Sequence, residues 1–187
     1  ISQTSGHGDG RLPSERSRRI FGEVSKGENL GVNFIADGRD EVLNATRENL
    51  RFGASQIKVM AGGGAATAYD PLDVTQYTFD ELKAAVEAAD DWNTYVTVHA
   101  YTVKAVRRAV DAGVKCIEHG QLLDEATMKL LADKDIWLSL QALDEAPPTA
   151  PEPFATQLLA EEGVIDQLRR QPNADLQEAV VQRTHLG

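Results

Sequence analysis

The chain has 187 residues, enough for one domain with a real core but short of the roughly 250 of a complete eight-stranded α/β barrel. Acidic residues outnumber basic ones, 29 to 19, for a net charge of -10, so a nucleic-acid partner is not expected: no basic stripe is present to displace counterions. No apolar run reaches the roughly 18 residues of a membrane span, and the opening ISQTSGHGDG has neither the charged start nor the apolar centre of a signal peptide; a soluble, cytoplasmic protein is expected.

Ile1 reads as the end of a strand, so the sequence is expected to begin partway into a larger protein. The SGHGDG stretch sets His7 and Asp9 between glycines, either a loop that brings polar groups to a ligand or a plain surface turn. Arg11, Arg16, Arg18 and Arg19 form the one basic cluster. A solvated loop is the ordinary reading of such a cluster, and attraction of a carboxylate-bearing substrate is the alternative.

Good helix formers fill positions 40–50, and Gly53 stands where a helix end needs it, before a predicted strand from Gln56 to Met60. Thr78 and Glu81 form a capping box, and Leu82, Ala85, Val86 and Ala89 recur on one helical face. A strand from Tyr95 to His99 follows. Val103, Val106 and Val110 mark the next helix, which Gly113 stops, and a strand runs from Val114 to His119. A helix over Asp124 to Asp133 and a strand over Ile136 to Gln141 complete the alternation.

Strand and helix alternate at a spacing that implies βα units and a parallel sheet. Ile57, Val59, Val96, Val98, Ile136, Leu138 and Leu140 share one face of the strands, while Gln56, Lys58, Thr97, His99, Ser139 and Gln141 share the other. An open doubly wound sheet is apolar on both faces. One polar face suits a barrel instead, and the expected fold is α/β, a partial (β/α)8 TIM-type barrel. Past Gln141 the pattern changes: Pro147, Pro148, Pro151 and Pro153 lie in a loop, and a helical stretch from Phe154 is broken near Gly163 and Pro172. Two regions are therefore expected, 1–142 as the barrel portion and 143–187 as a Pro-rich loop and helical tail.

Lys58, His99 and His119 each close a β-type run, so the three side chains are expected at one end of the sheet, where α/β proteins keep their chemistry. A lone histidine at a strand end is ordinarily a satisfied structural residue. Two at equivalent ends of neighbouring strands point to a shared metal, and neutral imidazole suits zinc. Glu118 is expected on the face opposite His119, as an outer hydrogen-bond partner or helix contact. Lys58 either snorkels or pairs with a carboxylate, or, as a neutral amine, adds carbon dioxide to become a carbamate able to bridge two metals. Gly62-Gly63-Gly64 lacks the ending of a phosphate loop and is expected to let the backbone turn tightly beside the site. Cys116, the single cysteine, reads as packing.

The stretches ISQTSGHGD, GASQIKVMAGGG, YDPLDVTQYT, TYVTVHAYT, AGVKCIEHGQLLDE and IWLSLQ closely resemble the metal-dependent amidohydrolase superfamily, in particular its imidazolonepropionase-like branch of Xaa-Pro and Xaa-Lys/Arg dipeptidases. The likeness runs from Ile1 to about Gln141 and corresponds to the third to seventh strands of a distorted (β/α)8 barrel with a binuclear metal centre, usually zinc. The resemblance implies Lys58 as the carbamate on the fourth strand, and His99 and His119 as metal ligands on the fifth and sixth. It implies that His7 orients or polarises the substrate and that Tyr101 binds its carboxylate. No His-x-His and no later Gly-x-Asp strand end occur, so the ligands of the second metal and the general-base aspartate are not found here, and no catalytic proton carrier is assigned. The implied activity is hydrolysis of a C–N bond in a small peptide or amide, with a divalent metal as cofactor. The alternative is a catalytically incomplete module that assembles, for instance as a homo-oligomer, through its open strand edges.

Overall fold

A computed structural model describes residues 1–9, 18–22, 24–65 and 70–140. The expected strand end at Gln141, the tail 143–187 with its boundary, and Arg11 and Arg16 lie outside the described residues, as do the side chains of Arg18 and Arg19. Two short helices come first, α1 (Arg18–Phe21) and α2 (Lys26–Asn29), followed by α3 (Arg39–Arg51). Then strand and helix alternate: β1 (Ile57–Met60), α4 (Phe79–Asp91), β2 (Val96–Thr102), α5 (Val103–Ala112), β3 (Cys116–Leu122), α6 (Glu125–Asp133) and β4 (Trp137–Ser139). The four strands lie in the order β1-β2-β3-β4, every neighbouring pair parallel. The chain start adds a short extension beside β1, where the Met60 N–H donates to Ile1 O at 3.0 Å, and Ser2 bridges in parallel to Ile35.

Local sequence accounts for the helix ends. Thr78 caps α4 with both halves of the expected box, its side chain accepting from Glu81 N while the Glu81 carboxylate accepts from Thr78 N at 2.7 Å. Thr102 caps α5 directly from the end of β2, and Asp124 caps α6 at 2.8 Å from Thr127 N. Gly113 ends α5 at φ 103, a left-handed turn that returns its N–H to Ala109 and Val110.

The strand bounds differ from expectation: β1 starts at Ile57, β4 is shorter, from Trp137 to Ser139, and β2 and β3 run further than expected. β2 continues through Ala100, Tyr101 and Thr102, and β3 starts at Cys116 and runs past His119 to Leu122. The histidines are thus inside strands, with backbone pairing beyond them, and Lys58 is likewise the second residue of β1.

The core lies between sheet and helices. Ile57, Val59, Val96, Val98 and Ile117 are buried together with Leu82, Ala85, Val86 and Ala89 of α4 and Val106, Ala109 and Val110 of α5. The opposite face carries Lys58, Thr97, His99, Cys116, Glu118 and Ser139, because register pairs such as Met60 with His99 and His99 with Glu118 share a pleat. Trp137 belongs to this face at β4 and is 48% exposed. Leu82, at 0% exposure in the centre of the core, gives a direct check of the layer: Leu82→Ala is expected to lower unfolding free energy by about 2–5 kcal/mol in urea melts.

Candidate functional site

Four rings converge above the polar face of the sheet. His99 stands on β2 and Tyr101 two residues on, so the pleat sends both the same way. Their ring centres are 5.1 Å apart in an edge arrangement. His119 comes from β3 by a different route. Ile117 is buried under the helices, so strict alternation would send His119 to that same side. A bulge intervenes: pairing shifts between Ala100 opposite His119 and Thr102 opposite Leu122, and His119 and Gly120 adopt φ 78 and 66. A left-handed non-glycine residue stores strain of about 1–3 kcal/mol, and here it re-aims the imidazole to 4.5 Å from His99 and 4.9 Å from Tyr101. A side chain at Gly120 would be strained by its φ of 66 and would require Leu138 Cδ1, 2.7 Å from the Cβ position, to move aside.

The same bulge overturns the expected place of Glu118. It faces the polar side with His99, and its carboxylate accepts from Thr97 Oγ1 at 2.8 Å. Alternation counted back from an inward His119 misassigns Glu118, because the bulge sits between the two residues' directions. Burial pushes the Glu118 carboxyl up, but the hydroxyls of Thr97 and Ser139 and the charge of Lys58 outweigh it and leave its pKa lowered. Beside it, burial pushes the pKa of the Cys116 thiol up.

His99 is 3% exposed, and its Nε2 lies 2.8 Å from the carbonyl oxygen of Gly63. A carbonyl only accepts, so Nε2 carries the proton and Nδ1 offers the lone pair. Burial first, then the neighbouring His7, pulls its pKa down to about 3, against the opposing carbonyl. The ring is therefore neutral across the working range. The triple-glycine run makes this contact possible: a Cβ on Gly63 would fall 1.8 Å from Pro71 O, so only glycine lets the loop fold back far enough to present that carbonyl.

His7 reaches the cluster from the turn after the chain start. It stacks on His99 with ring centres 3.9 Å apart and planes 10° from parallel. Its backbone N–H donates to Gln76 Oε1 at 2.9 Å, its carbonyl accepts from Ser2 Oγ at 2.5 Å, and Nδ1 meets Asp70 Oδ2 at 2.7 Å. Asp70, Gln76 and the Gly63 carbonyl are site components that sequence reasoning missed. Nothing periodic marks them, and only the Asp-Pro turn signal flags their loop.

Lys58 is exposed on the same face, bordering a cavity of about 280 Å³ that also touches Ile1, Asn33 and Met60. That cavity adjoins the lysine and not the rings. Among the described residues no three of His, Cys, Asp and Glu group at metal-binding range. Two imidazoles do suit one ion: ring centres about 3 Å from a tetrahedral zinc lie about 5 Å from each other, close to the 4.5 Å between His99 and His119. Such an ion would need a further donor besides these two rings.

The description "Amidohydrolase family" matches residues 13–172. The chain belongs to the amidohydrolase family. Ochratoxinase of Aspergillus niger is 36% identical to this amidohydrolase over 140 residues, 73% of this chain and 29% of that protein. Among solved structures, a prolidase complexed with N-methylphosphonate-L-proline superposes with a TM-score of 0.74 at 35% identity, covering 87% of this chain and 41% of the other. A Xaa-Pro dipeptidase with methionine bound in its active site gives 0.62 at 30% identity, covering 74% and 32%. This amidohydrolase chain thus spans less than half the length of these relatives. Its four parallel strands, with a helix after each of the first three among the described residues, are a partial barrel of the TIM type. Among the described residues, no helix is long and apolar enough to cross a membrane.

Proposed function

We propose that this chain forms the metal-binding side of a hydrolase acting on C–N bonds of small amides, with dipeptides as the favoured substrates. The observation that carries the reading is the meeting of His99 and His119, from neighbouring strands, at 4.5 Å and 73° between ring planes. His99 and His119 would hold a divalent ion, zinc being suited to imidazole, and Lys58 would complete the set as a carbamate. When bound, such an ion lowers the pKa of water and polarises a carbonyl. The chain's own part is to keep His99 neutral by burial, so that Nδ1 is available without displacing a proton, and to aim His119 by the β3 bulge. His7 and Tyr101, both in ring contact with His99, would orient the substrate, with the Tyr101 hydroxyl suited to a substrate carboxylate.

The relatives support the substrate class. A phosphonate linked to proline carries a tetrahedral phosphorus where a dipeptide has a planar carbonyl, and one of the structural neighbours is a prolidase complexed with such a compound. Assay of the zinc-supplemented chain over Xaa-Pro, Xaa-Lys and aryl-amide substrates, with bound metal measured by mass spectrometry, tests the proposal. Metal retained through gel filtration together with hydrolysis supports it; full metal occupancy with no turnover of any substrate counts against it.

The assembly reading draws on a different observation. Among the described residues β4 pairs only with β3, and Trp137 on its polar face is 48% exposed, a combination that invites pairing with another strand. A metal-free oligomer in gel filtration would favour this second reading, and a metal-loaded monomer would refute it.

A further inference from the structure

Stacking fixes the plane of the His7 ring but not which of its edges faces the cluster, because a half-turn about the Cβ–Cγ bond leaves the plane unchanged and exchanges nitrogen for carbon. One contact removes that freedom. Asp70 Oδ2 lies 2.7 Å from His7 Nδ1, and Asp70 is 6% exposed while His7 is 20% exposed. The pair is thus largely shielded from water, where a carboxylate–imidazole hydrogen bond is stronger than at the surface.

We propose that Asp70 is the positioning residue for His7: it holds the proton on Nδ1 and thereby fixes which edge of the ring each nitrogen occupies. The proposal rests on the reading of the site given above and adds to it the group that sets its orientation. A carboxylate accepts and does not donate, so Nδ1 must carry hydrogen whether the ring is neutral or charged, and the ring's orientation in its plane is set with it. Asp70 is itself held by its backbone. Its carbonyl accepts from Gly64 N at 3.2 Å, and the next carbonyl, Pro71 O, accepts from Val74 N at 3.1 Å. Pro71 also restricts the conformations open to Asp70. Gly63, in the same loop, supplies the carbonyl that fixes the proton of His99. One loop between β1 and α4 therefore sets the hydrogen positions of two imidazoles that stack 3.9 Å apart.

The first test needs no turnover. Long-range proton–nitrogen spectra of the nitrogen-15-labelled chain, recorded about two units above the ordinary imidazole pKa of ~6.5, report the tautomer of each histidine, with His7 assigned by comparison with His7→Gln. His7 should carry its proton on Nδ1, keep it there in Asp70→Asn, whose amide oxygen still accepts, and lose the preference in Asp70→Ala. An Nε2–H ring in the unmodified chain, or the same tautomer with and without the Asp70 side chain, would overturn the proposal.

The second test is kinetic. Asp70→Ala should lower kcat/KM about 100-fold, the scale of a misoriented substrate-binding group, with Asp70→Asn within about tenfold of the unmodified chain. In a His7→Ala background Asp70→Ala should have no further effect, since it acts only through that ring; a full additional loss there would mean a merely structural role. If the unmodified chain hydrolyses nothing, the proposed function fails while the spectra still decide the assignment of Asp70.

Discussion

Lys58→Met is expected to lower kcat/KM by at least about 10³-fold, equivalent to about 4 kcal/mol of transition-state stabilisation, and to reduce bound metal in the same preparation. Methionine keeps the length and the aliphatic stem of the lysine while removing the amine, so packing along β1 is preserved and only the nitrogen chemistry is lost. Without it, the proposed set would be left with the two imidazoles of His99 and His119, one short of the three protein ligands of an open zinc site. The carbamate itself has a separate readout: growth with carbon-13 bicarbonate should give a carbonyl resonance present in the unmodified chain and missing from Lys58→Met. The inner face offers a competing role, since the charge of Lys58 is among the causes that lower the pKa of the Glu118 carboxyl, an ordinary electrostatic pairing. Unchanged metal content and activity in Lys58→Met would establish that ordinary pairing and remove Lys58 from the site.

How far the sequence carried the structure depended on how local each determinant is. The capping box at Thr78 and Glu81, the left-handed stop at Gly113, and the apolar stripe of α4 are encoded within a few residues, and the structure reproduces each. The two faces of β1 and β2 were equally readable, because alternation depends only on the pleat. The bulge at His119 was not, because it arises from a mismatch of register between two strands that share no sequence neighbourhood. Its local trace is Gly120, whose positive φ follows that of His119. From that one shift came both the misassigned face of Glu118 and the idea that β3 ends at its histidine. The roles of Asp70 and Gln76 were missed for a related reason: their partner His7 is 63 and 69 residues away, and the Asp-Pro turn signal marks a loop without saying which ring it serves.

The glycine loop allows the sharpest contrast between neighbours. Gly63→Ala places a methyl where Pro71 O is 1.8 Å, Pro71 C is 2.6 Å and Asp70 O is 2.8 Å away. All three obstacles are backbone atoms, so no side-chain rotation relieves the overlap and the loop itself must move. Movement takes the Gly63 carbonyl from His99 Nε2 and disturbs the chain around Asp70, loosening both imidazoles at once. Loss of such an outer partner weakens a metal site by about 10–100-fold, and the strain is expected to lower stability by about 1–3 kcal/mol. Gly62→Ala, one residue earlier, meets Ala100 Cα at 3.4 Å and Val74 O at 3.6 Å, close to ordinary contact, and should stay within about 1 kcal/mol of the unmodified chain. Zinc titration and thermal melts of the two variants side by side decide the matter. Equal behaviour at both positions would mean that the loop yields without consequence, and that the Gly63 carbonyl does not govern His99.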